Sequence, residues 1–175
     1  IGGGCYIVIR MADGRESAID ARETAPAAAF RDMYLDSAGN VVENLSLFGP
    51  LSAGVPGSVD GMLRALEKFG SLSREELLRP AITLAREGFP LHPRLANGFR
   101  IYEKDFRLYP STWSVFAPEG TIPESEFLWK QRDLAETLQR ISDNGRDGFY
   151  RGETARRIAE AMKRDGGMIT ADDLA

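Results

Sequence analysis

The segment CYIVIRMADGRESAID, residues 5–20, constrains the fold most, because it reads as a β-hairpin with two apolar faces. Residues 5–11 are rich in β-branched and aromatic side chains, and Asp13-Gly14 is a strong tight-turn signal. Alternation sends Cys5, Ile7 and Ile9 to one face and Tyr6 and Val8 to the other. A strand that is apolar on both sides belongs inside a sheet covered on both sides. Two strands do not make a stable sheet alone, and the chain predicts few others. The missing strands are therefore expected from sequence outside these 175 residues. Alone, the hairpin predicts self-association through Cys5–Met11, since edges and faces lack partners.

The remainder reads as helix. APAAAFRDMYL predicts a short helix with Pro26 in its first turn, and residues 36–55 read mainly as loop. Val59, Met62, Leu63, Leu66 and Phe69 recur at helical spacing, with Gly70 as the stop. Ser73 to Glu76 forms a capping box that opens a short helix; Pro80 interrupts it, and a second helix runs to Glu87 and stops at Gly88. Leu95, Phe99, Tyr102, Phe106 and Tyr109 form one stripe on the next helix, read as core. Residues 109–125 contain three prolines and read as irregular. Two more helices centre on Leu134, Leu138 and Ile141, and on Ala155, Ile158 and Met162. Glu153–Arg157 and Glu160–Arg164 are expected ion pairs on a solvated face. The expected class is α+β: one partial domain over 1–175, with a hairpin over about 5–21 and a helical body over about 26–175.

Several chemistries are excluded by residue counts. A net charge of −4 argues against nucleic-acid binding, and no apolar run approaches the roughly 20 residues of a membrane helix. A single cysteine, Cys5, rules out an internal disulfide or thiolate zinc cluster. The single histidine, His92, lies in FPLHPR between prolines and reads as a turn residue, with no GxSxG serine to serve. No phosphate loop or metal-ligand cluster is present, so no cofactor or metal is expected. IGGGC precedes a strand, where its glycines suit close backbone packing. The chain starts without methionine, and MITADDLA opens a helix at Thr170 that stops at Ala175, so the sequence reads as a piece of a longer protein.

Arg22 and Glu23 stand at the junction of a strand and an alanine run in AIDARETAPAAAF. Such a pair either solubilises a turn or grips an anionic substrate. The sequence also carries GGGCYIVIR, IDARETAPAAA, GVPGSVDGM, RPAITLAREGFPL and DLAETLQRISDNGRDGFYRGETARRIAEAMKRDGGMITADDL. In this order and over nearly the whole chain, they resemble the large subunit of the γ-glutamyltranspeptidase family.

That resemblance implies a four-layer αββα sandwich of the N-terminal-nucleophile hydrolases, made as a precursor that cuts itself before a threonine. This threonine, outside the present chain, would attack the γ-glutamyl group of glutathione and pass it to water or to an amino-acid or peptide acceptor. The partners implied are glutathione and other γ-glutamyl compounds and the small subunit of the same precursor; the implied compartment is periplasmic or extracellular. Arg22 would grip the α-carboxylate of the γ-glutamyl group, with Glu23 a candidate to orient it. Cys5 departs from the family, which often has glycine there. Two other readings stay open: a related acylase for glutaryl cephalosporins, and a helical interaction module without catalysis.

Overall fold

In the computed structural model, which describes residues 3–175, the hairpin forms as expected. Strand β1 (Cys5–Arg10) pairs antiparallel with β2 (Glu16–Ala21), in a register running from Cys5 opposite Ala21 to Arg10 opposite Glu16. Gly14 takes φ 88°, and the Asp13 carboxylate accepts the Arg15 N–H at 3.0 Å. Only glycine takes that backbone angle without strain, so the Asp-Gly signal has a local cause. The faces alternate as the spacing demands: Cys5, Ile7 and Ile9 are half-buried, while Tyr6 and Val8 are 69% and 83% exposed.

The helices follow as α1 (Ser58–Phe69), α2 (Arg74–Glu87), α3 (Pro93–Ile101), α4 (Glu103–Arg107), α5 (Pro110–Phe116), α6 (Arg132–Asn144), α7 (Asp147–Tyr150), α8 (Gly152–Asp165) and α9 (Ala171–Leu174). A two-residue ladder joins β3 (Phe89–Pro90) to β4 (Leu128–Trp129). The chain divides into two compact units: one runs to Arg74 and resumes over Arg140–Ala175, and the other is Glu75–Gln139.

In the first unit, α1 lies against the hairpin. A Cβ placed on Gly61 would run into the Ala21 side chain and come within 3.8 Å of Ile7 Cδ1, so glycine is what lets helix and strand close together. Gly148 plays the same part where α7 meets the Arg140 carbonyl. Thr154, buried in α8, donates its hydroxyl to Gly148 O at 2.8 Å and accepts from Arg140 Nε at 2.9 Å. Thr170 caps α9 as expected: its hydroxyl accepts the Asp173 N–H at 3.2 Å, and the Asp173 carboxylate accepts the Thr170 N–H at 2.8 Å.

The second unit is built on aromatics. Leu91, Phe99 and Trp129 are its buried centre, packed by Phe89, Phe106, Phe116, Ile122 and Phe127. Phe106 stacks on Phe116 with centroids 4.4 Å apart, and Phe99 meets both Phe116 and Trp129 edge-on at 5.0 Å. The Trp129 indole N–H donates to the Val115 carbonyl at 3.0 Å, which satisfies the buried polar end of the ring.

Several expectations are corrected here. Residues 26–35 do not form a helix; Ala29, Met33 and Leu35 each close a separate turn on Pro26, Phe30 and Asp32. Ala27, Ala28 and Phe30 are exposed, so this segment buries little apolar surface to offset the cost of a first helical turn. Pro80 does not interrupt α2, which runs through it while Ile82 and Ala85 are buried beyond it. Burial on the far side outweighs one lost backbone bond. The aromatic stripe is not on one helix: Tyr102 (φ −96°, ψ 12°) separates α3 from α4, Leu95 and Tyr102 face solvent, and Phe99 and Phe106 reach the core. Within 109–125, α5 starts at Pro110, where the missing N–H costs nothing. Glu153 does pair with Arg157 at 2.6 Å, but Glu160 pairs with Arg156 at 2.6 Å and Arg164 with Asp165 at 2.7 Å.

Candidate functional site

Arg22 and Glu23 are the first two residues past the end of β2, between the buried Ala21 and a bridge joining Thr24 to Val55. The Thr24 N–H donates to Val55 O at 3.3 Å, and the Val55 N–H donates to Thr24 O at 2.8 Å. Both flanks of the pair are therefore tied to neighbouring backbone.

Three glycines make that close fit. A Cβ on Gly4 would strike the Arg22 Cα and the Glu23 nitrogen. One on Gly57 would lie 2.5 Å from the Ala21 carbonyl oxygen and 2.7 Å from that of Arg22. One on Gly54 would lie 2.8 Å from the Glu23 Cγ. The residues between Ala21 and Glu23 thus lie in a socket of glycine backbone that no side chain can share. Gly3 joins it by accepting the Gly57 N–H at 3.1 Å and the Ser58 hydroxyl at 3.2 Å. Close packing at IGGGC is seen at Gly4; Ile1 and Gly2 lie outside the described residues.

On this rigid base the two side chains meet. The Arg22 guanidinium is about half exposed, pairs through Nη2 with Glu23 Oε1, and lies 5.9 Å from the centroid of the Tyr6 ring. The Arg22 backbone N–H, in turn, donates to the Asp20 carboxylate at 3.0 Å. The other Glu23 oxygen, Oε2, is buried and has no hydrogen-bond partner among the described residues. An unpaired buried carboxylate oxygen is costly, so this atom calls for a donor. Glu23 also lines a pocket of about 520 Å³, together with Pro26, Phe30, Met33, Tyr34 and Leu51. Arg22 is not among that pocket's lining residues; its half-exposed guanidinium offers donors that suit an anionic group bound by two parallel bonds.

His92 stands apart from this chemistry. It is the N-cap of α3, in extended backbone, and its Nδ1 accepts the Arg94 N–H at 3.2 Å, as a turn residue does. Among the described residues, no three His, Cys, Asp or Glu side chains gather as a metal site.

The glycine socket escaped sequence reading, although GVPGSVDG carries two of its members. Its contacts link residues tens of positions apart, which periodicity does not report. The Asp173 carboxylate also escaped: it accepts the Ala27 N–H at 2.7 Å and so ties the C-terminal cap to the segment that follows Glu23.

Comparisons with known proteins cover the whole chain. A family model described as Gamma-glutamyltranspeptidase matches residues 1–175. A glutathione hydrolase proenzyme of Pseudomonas sp. (strain A14) is 44% identical over 99% of the chain. The chain spans about 30% of that relative's length. The crystal structure of Helicobacter pylori gamma-glutamyltranspeptidase superposes with TM-score 0.96 at 42% identity, covering 99% of this chain and 50% of that one. A cephalosporin acylase from Bacillus halodurans shares the fold with TM-score 0.83 at 24% identity, over all of this chain and 33% of that one.

Proposed function

Because this chain belongs to the gamma-glutamyltranspeptidase family, with the α+β fold of an N-terminal-nucleophile hydrolase, we propose that the full-length protein transfers the γ-glutamyl group of glutathione to water or to an amino-acid or peptide acceptor. Within residues 1–175, the reading assigns Arg22 to the α-carboxylate of the donor. The observation that carries it is a half-exposed guanidinium held at a strand end by a backbone socket. A rigid base fixes the fork, and the fork stays charged at any working pH. Glu23 holds Nη2 and so orients the guanidinium toward the incoming group.

The nucleophile falls to a threonine at the start of the small subunit, outside residues 1–175. Its hydroxyl oxygen bonds to the γ-carbonyl carbon, and its proton passes to its own α-amine and on to the departing amine as the C–N bond breaks. Water or an acceptor amine then takes the acyl group. The exposed Tyr6 and Val8 face of the hairpin would be covered by the rest of the protein, and in the isolated fragment it would drive self-association.

Reading the chain as a glutaryl acylase has less support, since 44% identity accompanies the glutathione hydrolase and 24% the acylase. The helical-module reading is set aside by the family match over the full chain. The deciding experiment compares hydrolysis of γ-glutamyl-p-nitroanilide and glutaryl-p-nitroanilide by the full-length protein. Faster turnover of the γ-glutamyl compound is expected. A preference for the glutaryl compound, which has the carboxylate but lacks the α-amine, would reassign the protein to acylase chemistry.

A further inference from the structure

Tyr150 ends α7 with only 3% of its surface exposed, yet it carries a hydroxyl that must be satisfied. That hydroxyl donates to the Pro56 carbonyl at 2.7 Å and accepts the Asp60 backbone N–H at 3.2 Å. Asp60 is the third residue of α1, so its N–H lacks an intrahelical partner and the tyrosine supplies one. Pro56 lies between Val55, which bridges to Thr24, and Gly57, which lies against the Ala21 and Arg22 carbonyls. Residues 55–57 are thus a rail on which residues 21–24 rest, and Tyr150 ties the rail to α7 through Pro56.

The ring itself is held. The Arg146 guanidinium lies 4.6 Å from its centroid and donates to the Asp60 carboxylate at 3.1 Å. Arg64 donates to the same carboxylate at 2.6 Å. Burial is the main cause that pushes the Tyr150 hydroxyl above its ordinary pKa, so it remains a donor at neutral pH.

We propose that Tyr150 is a positioning residue for the carboxylate site, setting the aim of Arg22 through the Pro56–Gly57 rail across 128 residues of sequence (150 − 22). The inference rests on the Arg22 assignment made above. A phenylalanine at this position keeps the ring and its cation contact but leaves the Pro56 carbonyl and the Asp60 N–H without their partner.

The test uses the full-length protein with Tyr150→Phe, Arg22→Lys and the double variant, assayed on γ-glutamyl-p-nitroanilide. Tyr150→Phe should raise KM roughly three- to tenfold while kcat stays within about twofold, as misplacement of a ground-state contact requires. In the Arg22→Lys background it should add nothing, because the fork whose aim it sets is gone. Should Arg22→Lys raise KM while Tyr150→Phe leaves it at wild type, the carboxylate assignment stands and the positioning role falls. An equal KM rise in both backgrounds also overturns it. If Arg22→Lys leaves KM unchanged, both readings fail together. Should Tyr150→Phe fail to fold, Arg146→Met removes the cation over the ring and one tether to Asp60, and is measured in the same two backgrounds. A smaller KM rise confined to the Arg22 background is then expected, and an unchanged KM overturns the proposal.

Discussion

Replacing Gly57 by alanine tests the socket without touching a charged group. Gly57 has φ −104°, which alanine adopts freely, so the substitution meets no backbone strain. Its cost is steric. The new Cβ would stand 2.5 Å from the Ala21 oxygen, 2.7 Å from the Arg22 oxygen and 3.0 Å from the Ala21 carbonyl carbon. All three are backbone atoms, so no side chain can rotate aside and the strand end must move by several tenths of an ångström. Overpacking of this kind typically costs about 1–3 kcal/mol, and alanine at an N-cap adds about half a kcal/mol. The displaced residue is Arg22, so the KM for a γ-glutamyl donor should rise as well. Gly98→Ala is the control: it lies inside α3 with open space around its Cβ and should stabilise by about 0.5–1 kcal/mol. Thermal unfolding and steady-state kinetics of the full-length variants measure both effects. If Gly57→Ala unfolds within about 0.5 kcal/mol of wild type, with unchanged KM, the socket argument is wrong.

Two further predictions concern stability. Phe99→Ala opens a hole where Phe106, Phe116 and Trp129 meet, and should cost about 3–5 kcal/mol by chemical denaturation, whereas truncating the exposed Tyr102 should cost far less. Asp173 is held below its ordinary pKa of 3.8, first by the Ala27 N–H and then by the Thr170 hydroxyl and N–H. A depressed carboxylate stabilises the fold above its unfolded pKa and loses that contribution as pH falls through the folded value. Asp173→Ala should therefore lower the melting temperature at neutral pH, with the deficit shrinking below pH 3.8; a deficit that grows on acidification would contradict this.

What the sequence made legible was local. The hairpin announced itself through period-two alternation and Asp13-Gly14, and α1, α6 and α8 through apolar stripes. The start of α9 was readable because Thr170 is a favoured N-cap type with two aspartates in the turn that follows. The failures came where tertiary packing overrode a local signal. Pro80 is a strong break signal, yet buried Ile82 and Ala85 carry α2 past it. The stripe from Leu95 to Tyr109 has helical spacing, yet the break at Tyr102 is what brings Phe106 onto Phe116. The β3–β4 ladder has two residues a side, too few for any period to register. For the site, Arg22 stood out only through the resemblance carried by its motif. Close packing at Gly4 was foreshadowed by IGGGC, but Gly54, Gly57 and Tyr150 matter through contacts with residues far along the chain, of which composition and spacing carry no trace.

Arg22 as a carboxylate fork is tested most directly by Arg22→Lys in the full-length protein. Lysine keeps the charge but loses the second parallel bond. One charge-assisted bond is worth about 1.5–3 kcal/mol, or roughly one to two orders of magnitude in binding. The loss should appear in KM for γ-glutamyl-p-nitroanilide with kcat little changed, because the α-carboxylate is remote from the reacting carbonyl. Precursor cleavage should proceed normally, since it involves no free substrate carboxylate. A variant that matures and retains wild-type KM would reduce Arg22 to a surface partner of Glu23 and contradict its role as the carboxylate anchor.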